Sequence, residues 1–293
     1  MRAAKYSGLS FEWYGYSTIR IQTETGGEQS RFEFLEYREL QTLAKERGIK
    51  ANQTKQELRD ALRLSEELVI YVDPGRFGLM DRFRPKDADY VFVTHNHHYD
   101  PEAIRNVSND DTVLYAYGDN DYNALRPDII PPEDLNMHVE FLEYDEEYTI
   151  RGRPETFHVR TLPAYNRADG KHVDEDGNPL HADGDVVGLY FTIGDTTVYW
   201  PSDTDFVEKL TDITADVMFV PIGGTYTMDA DEALRFAESV DPDLLIPVHY
   251  STLTKRSDDD PAPGGHEVFG NIKVDPDEFE EKAAGHNFKV DII

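Results

Sequence analysis

Three histidines, His95, His97 and His98, crowd the stretch VFVTHNHHYD directly behind a run of strand-forming apolar residues. Neutral imidazole is the commonest side-chain metal ligand, and a strand end fixes where it points. Such crowding marks a metal centre whose remaining donors must come from elsewhere in the chain. Asp203, after VYWPS, and His249, after LLIPV, stand in matching places. One histidine of this kind is more often a satisfied structural residue. Several donors behind separate strands are harder to explain that way, because strands of one sheet run out at a common edge where their end loops converge. The chain has no cysteine. A thiolate zinc site, a disulfide framework and a cysteine nucleophile are therefore excluded, and His, Asp and Glu must supply any transition-metal donors.

The elements that must position these donors read as one large α/β domain or two small ones, a size at which 293 residues build a well-filled core. Residues 9–22, LSFEWYGYSTIRIQ, alternate as a hairpin or bent strand with Gly15 at the turn. LVIYVDPGRF, 68–77, is a short apolar strand stopped by Asp73, Pro74 and Gly75. Strand patterns recur at 89–95, 112–117, 157–165, 186–193, 196–203, 216–222 and 244–250. The clearest helix of this part is 230–240, introduced by Asp229 with Glu232 three residues on, and Pro242 lies beyond its end. Two long polar loops, 166–185 and 252–266, are of a length that is usually functional or mobile.

Residues 31–66 differ from the rest. YRELQTLAKERGIKANQTKQELRDALR reads as two short helices: Leu40, Leu43 and Ala44 mark one apolar face, Leu58 and Leu62 another. Gly48 ends the first, and Thr54 with Glu57 forms a capping box for the second. Over residues 31–63, eight basic against six acidic residues make about +2, in a chain whose 58 acidic and 29 basic residues total −29.

Taken together the motifs resemble the metallo-β-lactamase superfamily, in its branch of lactonase-like and phosphodiesterase-like metal-dependent hydrolases. EWYGYSTIRI resembles that branch's W-x-G-H-A-S strand pair, with Tyr16 where histidine is usual. VDPG resembles the next strand end, VTHNHHYDPEAI the first metal motif, and GLYFTIGDTTVYWPSDTDF the strands leading into a G-D-T-D element. PIGGTYTMDADEAL and PVHY follow in the family's order. The resemblance covers most of the chain outside the helical pair. It implies a four-layer αββα sandwich of two mixed sheets flanked by helices, formed by residues 1–30 and 67–293, with 31–66 as a small helical insertion. That insertion resembles the SAP motif, a helix-extended loop-helix module associated with DNA binding.

Carried over by position, His95 and His97 would hold a first metal, Asp203 would bridge two metals, and His249 would bind the second. The family's H-x-H-x-D-H is here His95, Asn96, His97, His98, Tyr99, Asp100. Aligned without gaps, Asp100 takes the place of the fourth histidine and the metal-binding Asp is lost to Tyr99. With a two-residue deletion, His98 becomes that ligand. Both alignments stay open, and both alter the second site. His181, shortly before the GLY strand, is expected as the third histidine of the first metal, with Asn166 and His172 as weaker candidates. Asp205 is expected to cap the following helix turn. His138, His158, His266 and His286 read as surface or packing residues, with His266 able to reach the site from its loop. Gly223 and Gly224 either line the site or form a plain tight turn. Tyr165 and Tyr226 are expected to pack rather than bind.

The expected chemistry is hydrolysis by a metal-activated water, with Asp203 and Asp100 as candidate catalytic carboxylates. A divalent ion lowers the pKa of bound water from ~15.7 to ~7. Zinc suits nitrogen and carboxylate donors, and manganese or iron fits the same set, as one ion or two. The resemblance leaves the substrate open among ester, lactone and phosphodiester. Two rival readings remain: a nuclease or repair phosphodiesterase brought to nucleic acid by residues 31–66, and a metal-poor binding protein without activity. The charge of −29 opposes phosphate backbones. It also points to concentrated salt, where screening within ~3 Å removes self-repulsion, or else to an ordinary acidic protein. With no signal-like start and no apolar run long enough for a bilayer, a cytoplasmic protein with no membrane partner is expected.

Overall fold

The computed structural model describes residues 3–24, 35–46, 48–64, 67–75, 80, 83–118, 121–122, 128–151, 156–210, 212–250, 272 and 274–293. His266 with its loop 252–266, and Arg31, Glu33 and Arg47 of the basic segment, lie outside these residues.

Among the described residues two seven-stranded sheets form. The first contains β1 (Ala3–Tyr6), β2 (Leu9–Trp13), β3 (Ile19–Thr23), β4 (Val69–Val72), β5 (Ala88–Val93), β6 (Ser108–Tyr117) and β7 (His138–Leu142), side by side in chain order. The second contains β8 (Glu147–Arg151), β9 (Thr156–Ala164), β10 (Val186–Ile193), β11 (Thr196–Trp200), β12 (Val217–Pro221), β13 (Leu244–Val248) and β14 (Lys289–Val290), again in sequence order. Each sheet is antiparallel through its first four strands and parallel through its last four. The helices are α1 (Tyr37–Glu46), α2 (Lys55–Leu64), α3 (Pro101–Val107), α4 (Ala230–Val240) and α5 (Pro276–Ala283). None is long and apolar enough to cross a membrane.

Strand periodicity builds the layers. Ile70, Val72, Tyr90 and Phe92 of β4 and β5 face the second sheet, and Phe92 meets Phe191 edge-on at 5.2 Å, as Phe11 meets Phe219 at 5.7 Å. Each such buried ring contributes roughly 1.5–3 kcal/mol of transfer free energy. The alternate residues Tyr71, Val91 and Val93 face the other way, into a second core with Ala103, Ile104 and Val107 of α3. On the far side of the second sheet, Phe236 of α4 lies edge-on to Tyr199 at 6.1 Å. The expected sandwich of two mixed sheets flanked by helices is what forms.

Helices α1 and α2 lie in the connection between the antiparallel neighbours β3 and β4. They pack on each other around Leu40, Ala44, Leu58 and Leu62, a core of their own. Gly48 ends α1 at φ 71°, and Thr54 and Glu57 cap α2 reciprocally at 2.7 and 3.3 Å. Several elements left no clear pattern in the sequence. Strands β7 and β8 are mostly exposed, so polar residues mask their alternation. Helix α3 occupies a stretch, Pro101–Val107, whose sequence shows a metal motif but no helical periodicity.

Strands β4 and β5 of the first sheet, and β11 and β13 of the second, all end next to a chemically useful residue. These are Asp73, His95, Asp203 and His249, each one to three residues past its strand.

Candidate metal centre

On the first sheet, the buried run Val91–Val93 delivers Thr94 and His95 to the sheet edge. The chain then tightens into a 3-10 turn, Asn96–His98, closed by the His98 amide donating to the His95 carbonyl at 3.3 Å. That turn folds the imidazoles together: the His95 ring lies 4.2 Å from His98 and 5.4 Å from His97. His95 and His98 are buried, whereas His97 is partly exposed. Asp73 organises this corner. Its carboxylate accepts from the Thr94 amide at 2.8 Å, the Thr94 hydroxyl at 2.9 Å and Trp200 Nε1 at 3.0 Å, and lies 3.1 Å from His98 Nδ1. A carboxylate behind a ligating imidazole fixes its tautomer and direction. In the sequence Asp73 reads only as the end of a strand, and the VDPG motif is the signal of its further role.

The second sheet faces this corner. The Thr94 and Ser202 hydroxyls meet at 2.8 Å across the two sheets. Asp203 Oδ2 stands 3.5 Å from His98 Nε2, 3.5 Å from His249 Nε2, 3.9 Å from His95 Nε2 and 3.9 Å from His181 Nε2. Gly223 lets His249 reach this position, since a Cβ there would lie 2.6 Å from the His249 carbonyl oxygen and 2.9 Å from its Nδ1. Of the non-glycine residues with positive φ, four line the centre: Tyr16 (53°), Asp73 (47°), Ser202 (59°) and His249 (58°). Left-handed backbone costs of order 1 kcal/mol or more for such residues and gathers at functional sites.

His181 arrives from the loop between β9 and β10, its ring 5.0 Å from His95 and 5.1 Å from His97. Asn166 holds it: the Asn166 amide donates to the His181 carbonyl at 2.8 Å, and the His181 amide donates to Asn166 Oδ1 at 3.0 Å. Asp205 does not cap a helix turn. Its carboxylate accepts from the Arg167 amide at 2.8 Å, from Asn166 Nδ2 at 3.1 Å and from His172 Nδ1. The three candidates of this loop thus form one assembly in which only His181 faces the histidine cluster.

Asp100 stands apart: its carboxylate caps α3, accepting from the Glu102 and Ala103 amides at 2.9 and 3.2 Å. The turn places His98, not Asp100, against Asp203. Tyr16 lies with its ring 4.0 Å from that of His249 and 5.5 Å from that of His98, and its carbonyl accepts from the His249 amide at 2.9 Å. His138 pairs with Glu140, His158 with Thr149 and His286 with Glu238, all outside the cluster.

The charges in this pocket are strongly displaced. Burial favours neutral His95 and, with the repulsion of His98, holds its pKa well below the usual imidazole value. Burial also opposes charge on His98, but Asp203 and Asp73 outweigh it and push its pKa up to about 10. Asp203 is buried too, yet His249 and His98 keep it well below the ordinary carboxylate range. The pocket is therefore arranged to hold positive charge beside Asp203.

Donor type and spacing fit a divalent ion. His95, His97 and His181, and separately His95, His98 and Asp203, offer donor atoms all within 4.8 Å of one another. Donors each about 2.0–2.2 Å from one ion lie at most about 4.4 Å apart, which the 3.5 and 3.9 Å approaches to Asp203 satisfy. His95 Nε2 and Asp203 Oδ1 are buried without a hydrogen-bond partner. Unmet groups of this kind cost about 1–3 kcal/mol, so a pair aimed into one pocket calls for a cation.

Comparison with known proteins agrees with this geometry. Residues 62–249 match the beta-lactamase superfamily domain. A metal-dependent hydrolase from Archaeoglobus fulgidus is 25% identical over 241 residues, covering 80% of this chain and 91% of that protein. Another from Oenococcus oeni is 27% identical over 200 residues, 67% of this chain and 76% of its own. The structure of a candidate metal-dependent hydrolase from Parabacteroides distasonis superposes with a TM-score of 0.62 at 19% identity, over 99% of this chain and 97% of that one. At that identity the likeness establishes a shared fold.

Proposed function

The chain belongs to the metallo-β-lactamase superfamily and is a metal-dependent hydrolase; from that premise we propose that it opens a small ester or lactone with water at a centre of two divalent ions. One observation carries the reading: a single buried carboxylate, Asp203, meets four imidazoles from both sheets and a loop at 3.5–3.9 Å. His95, His97 and His181 would hold one ion, His98 and His249 the other, with Asp203 shared between them. Such ions supply the Lewis acidity that makes water a nucleophile near neutral pH, lowering its pKa from about 15.7 to about 7. Zinc suits these donors, and manganese or iron fits them as well.

The chain's own groups do the orienting. The Asp73 carboxylate stands 3.1 Å from His98 Nδ1, and Thr94, which donates to that carboxylate, lies with its hydroxyl 3.1 Å from His95 Nδ1. His97 and Tyr16, which are partly exposed, would meet an incoming substrate first. A small uncharged substrate suits the surroundings: the cations of the neighbouring loop are already paired, Arg167 with Asp169 and Lys171 with Asp229 and Glu232. The net charge of −29 adds to this by repelling polyanions. A phosphodiester is the second reading, favoured by the two overlapping donor groups, since paired ions clamp both oxygens of an in-line displacement. Recruitment of nucleic acid by residues 31–66 would belong to that second reading.

Metal analysis of untagged protein purified at high salt, with turnover of a lactone, an aryl ester and a bis-aryl phosphate, tests both. The expected result is two ions per chain and carbonyl substrates turned over faster. A protein that carries no metal and keeps its stability in chelator would end the proposal. A bis-aryl phosphate outrunning both carbonyl substrates, with DNA affinity lost on deleting 31–66, would establish the second reading instead.

A further inference from the structure

The loop that carries His181 is a small hairpin with a tied base. Val173 and Pro179 bridge its two legs, and the Leu180 amide donates to the His172 carbonyl at 3.1 Å, so His172 sits directly across from the residue that precedes His181. The His172 ring is buried between two other segments. Nδ1 meets the Asp205 carboxylate, just past β11, and Nε2 lies 3.3 Å from the carbonyl of Gly224, in the turn whose neighbour Gly223 packs on His249. Asp205 in turn holds Asn166, which grips the backbone of His181 from the other side.

Both partners of the His172 ring only accept hydrogen bonds, an arrangement that favours a ring donating from both nitrogens, the imidazolium form. Burial opposes that charge, but Asp205 more than offsets it and raises the pKa above the usual histidine value. Adjacent Lys171 would repel a charged ring, yet its ammonium is drawn away to Asp229 and Glu232 at the start of α4. One side chain thus ties together the hairpin base, the segment after β11 and the turn beneath His249.

We propose that His172 is a positioning residue: its two-donor bridge from Asp205 to the Gly224 carbonyl clamps the hairpin so that His181 meets His95 and His97. The clamp acts through His181 and never touches the ions. It rests on the proposed centre for its consequence, but its geometry stands without any ion bound. Leucine at 172 removes both donors at similar size. Asparagine keeps a donor close to the position of Nδ1 and loses only the tie to Gly224.

The test uses the metal-loaded protein and its His172→Leu and His172→Asn variants, following zinc release to a chromophoric chelator. One of the two ions should leave 10–100-fold faster from the Leu variant, the range typical for removing a group behind a metal ligand, while the other leaves at the wild-type rate. The Asn variant, which keeps the tie to Asp205 and loses the one to Gly224, should fall between the wild type and the Leu variant. Equal acceleration of both ions, or no acceleration, overturns the clamp. Amide hydrogen exchange on the metal-free proteins reads it independently: Leu180 and His181 should lose protection in the Leu variant, while the Thr94 amide, held by Asp73, keeps it. Unchanged protection at His181 overturns the proposal. A wild-type protein that binds no zinc but shows this exchange pattern would instead remove the metal centre and leave the clamp standing.

Discussion

The two halves of the site reach the same pocket by different means. His95, Asp203 and His249 stand one to three residues beyond buried strands, so paired backbone of the two sheets aims them. His181 hangs on the long loop between β9 and β10 and owes its place to Asn166, Asp205 and His172. Strand-end donors are held by many cooperative backbone bonds, whereas a loop donor is held by a few polar side chains that can be removed one at a time. Substitutions should therefore act globally on the strand side and locally on the loop side.

The largest effect is expected at Asp203, where both sides converge. Asp203→Asn removes the anion that four imidazoles approach, and activity should fall by more than the roughly 10²–10³-fold typical of losing one oxyanion-hole donor, with loss of both ions. Steady-state rates and metal content check this; an Asn variant that retains two ions and most of its rate contradicts the shared role. Gly223→Ala comes next. Its Cβ would fall 2.6 Å from the His249 carbonyl, so overpacking should cost about 1–3 kcal/mol in denaturant unfolding and loosen the ion at His249, while the ion at His181 stays bound. Equal loosening of both would mean the two sides are not separable.

A third effect is a pH dependence of the metal-free protein. His98 is raised from an unfolded value of about 6.5 to about 10 by Asp203 and Asp73, against the pull of burial. Its contribution is complete below the unfolded pKa and lost as pH climbs through the folded one, so thermal midpoints should decline between about 6.5 and 10. Asp203, depressed by His249 and His98, contributes in the opposite sense: its share is present above the usual carboxylate value and is lost on acidification. Added zinc should flatten the alkaline decline. Midpoints that rise across that window would show that the strand-end pocket does not prefer positive charge.

How much of this was legible follows the same division. The strand runs before His95, Asp203 and His249 are apolar, short and punctuated, so sequence pattern locates both the strands and the donors behind them. The choice between His98 and Asp100 was not legible, because it depends on the chain tightening into a 3-10 turn after His95. The Asp100-Pro101-Glu102 start of α3 carries a helix-entry signal, an N-cap followed by Pro at the first helical position, which competes with the ligand reading of Asp100. Asp73 was hidden by its double use, as a strand stop and as the carboxylate behind His98. On the loop, the family resemblance leaves Asn166, His172 and His181 as competitors, since a one-dimensional pattern cannot show that two polar residues are the supports of the third. The edge strands β7 and β8 stayed invisible because exposure removes the alternation that marks a half-buried strand.

Donors drawn from two sheets also tie ion capture to the order of folding. Positions 95 and 249 meet only after the parallel strands of both sheets have found their register, a set of contacts between distant parts of the chain that forms slowly. A half-assembled sandwich offers imidazoles but no shared carboxylate among them. An ion that prefers the finished pocket withdraws molecules from that slow equilibrium and stabilises the completed state by mass action. Cation supply would then govern how much of the newly made chain matures, as well as how fast the mature protein turns over.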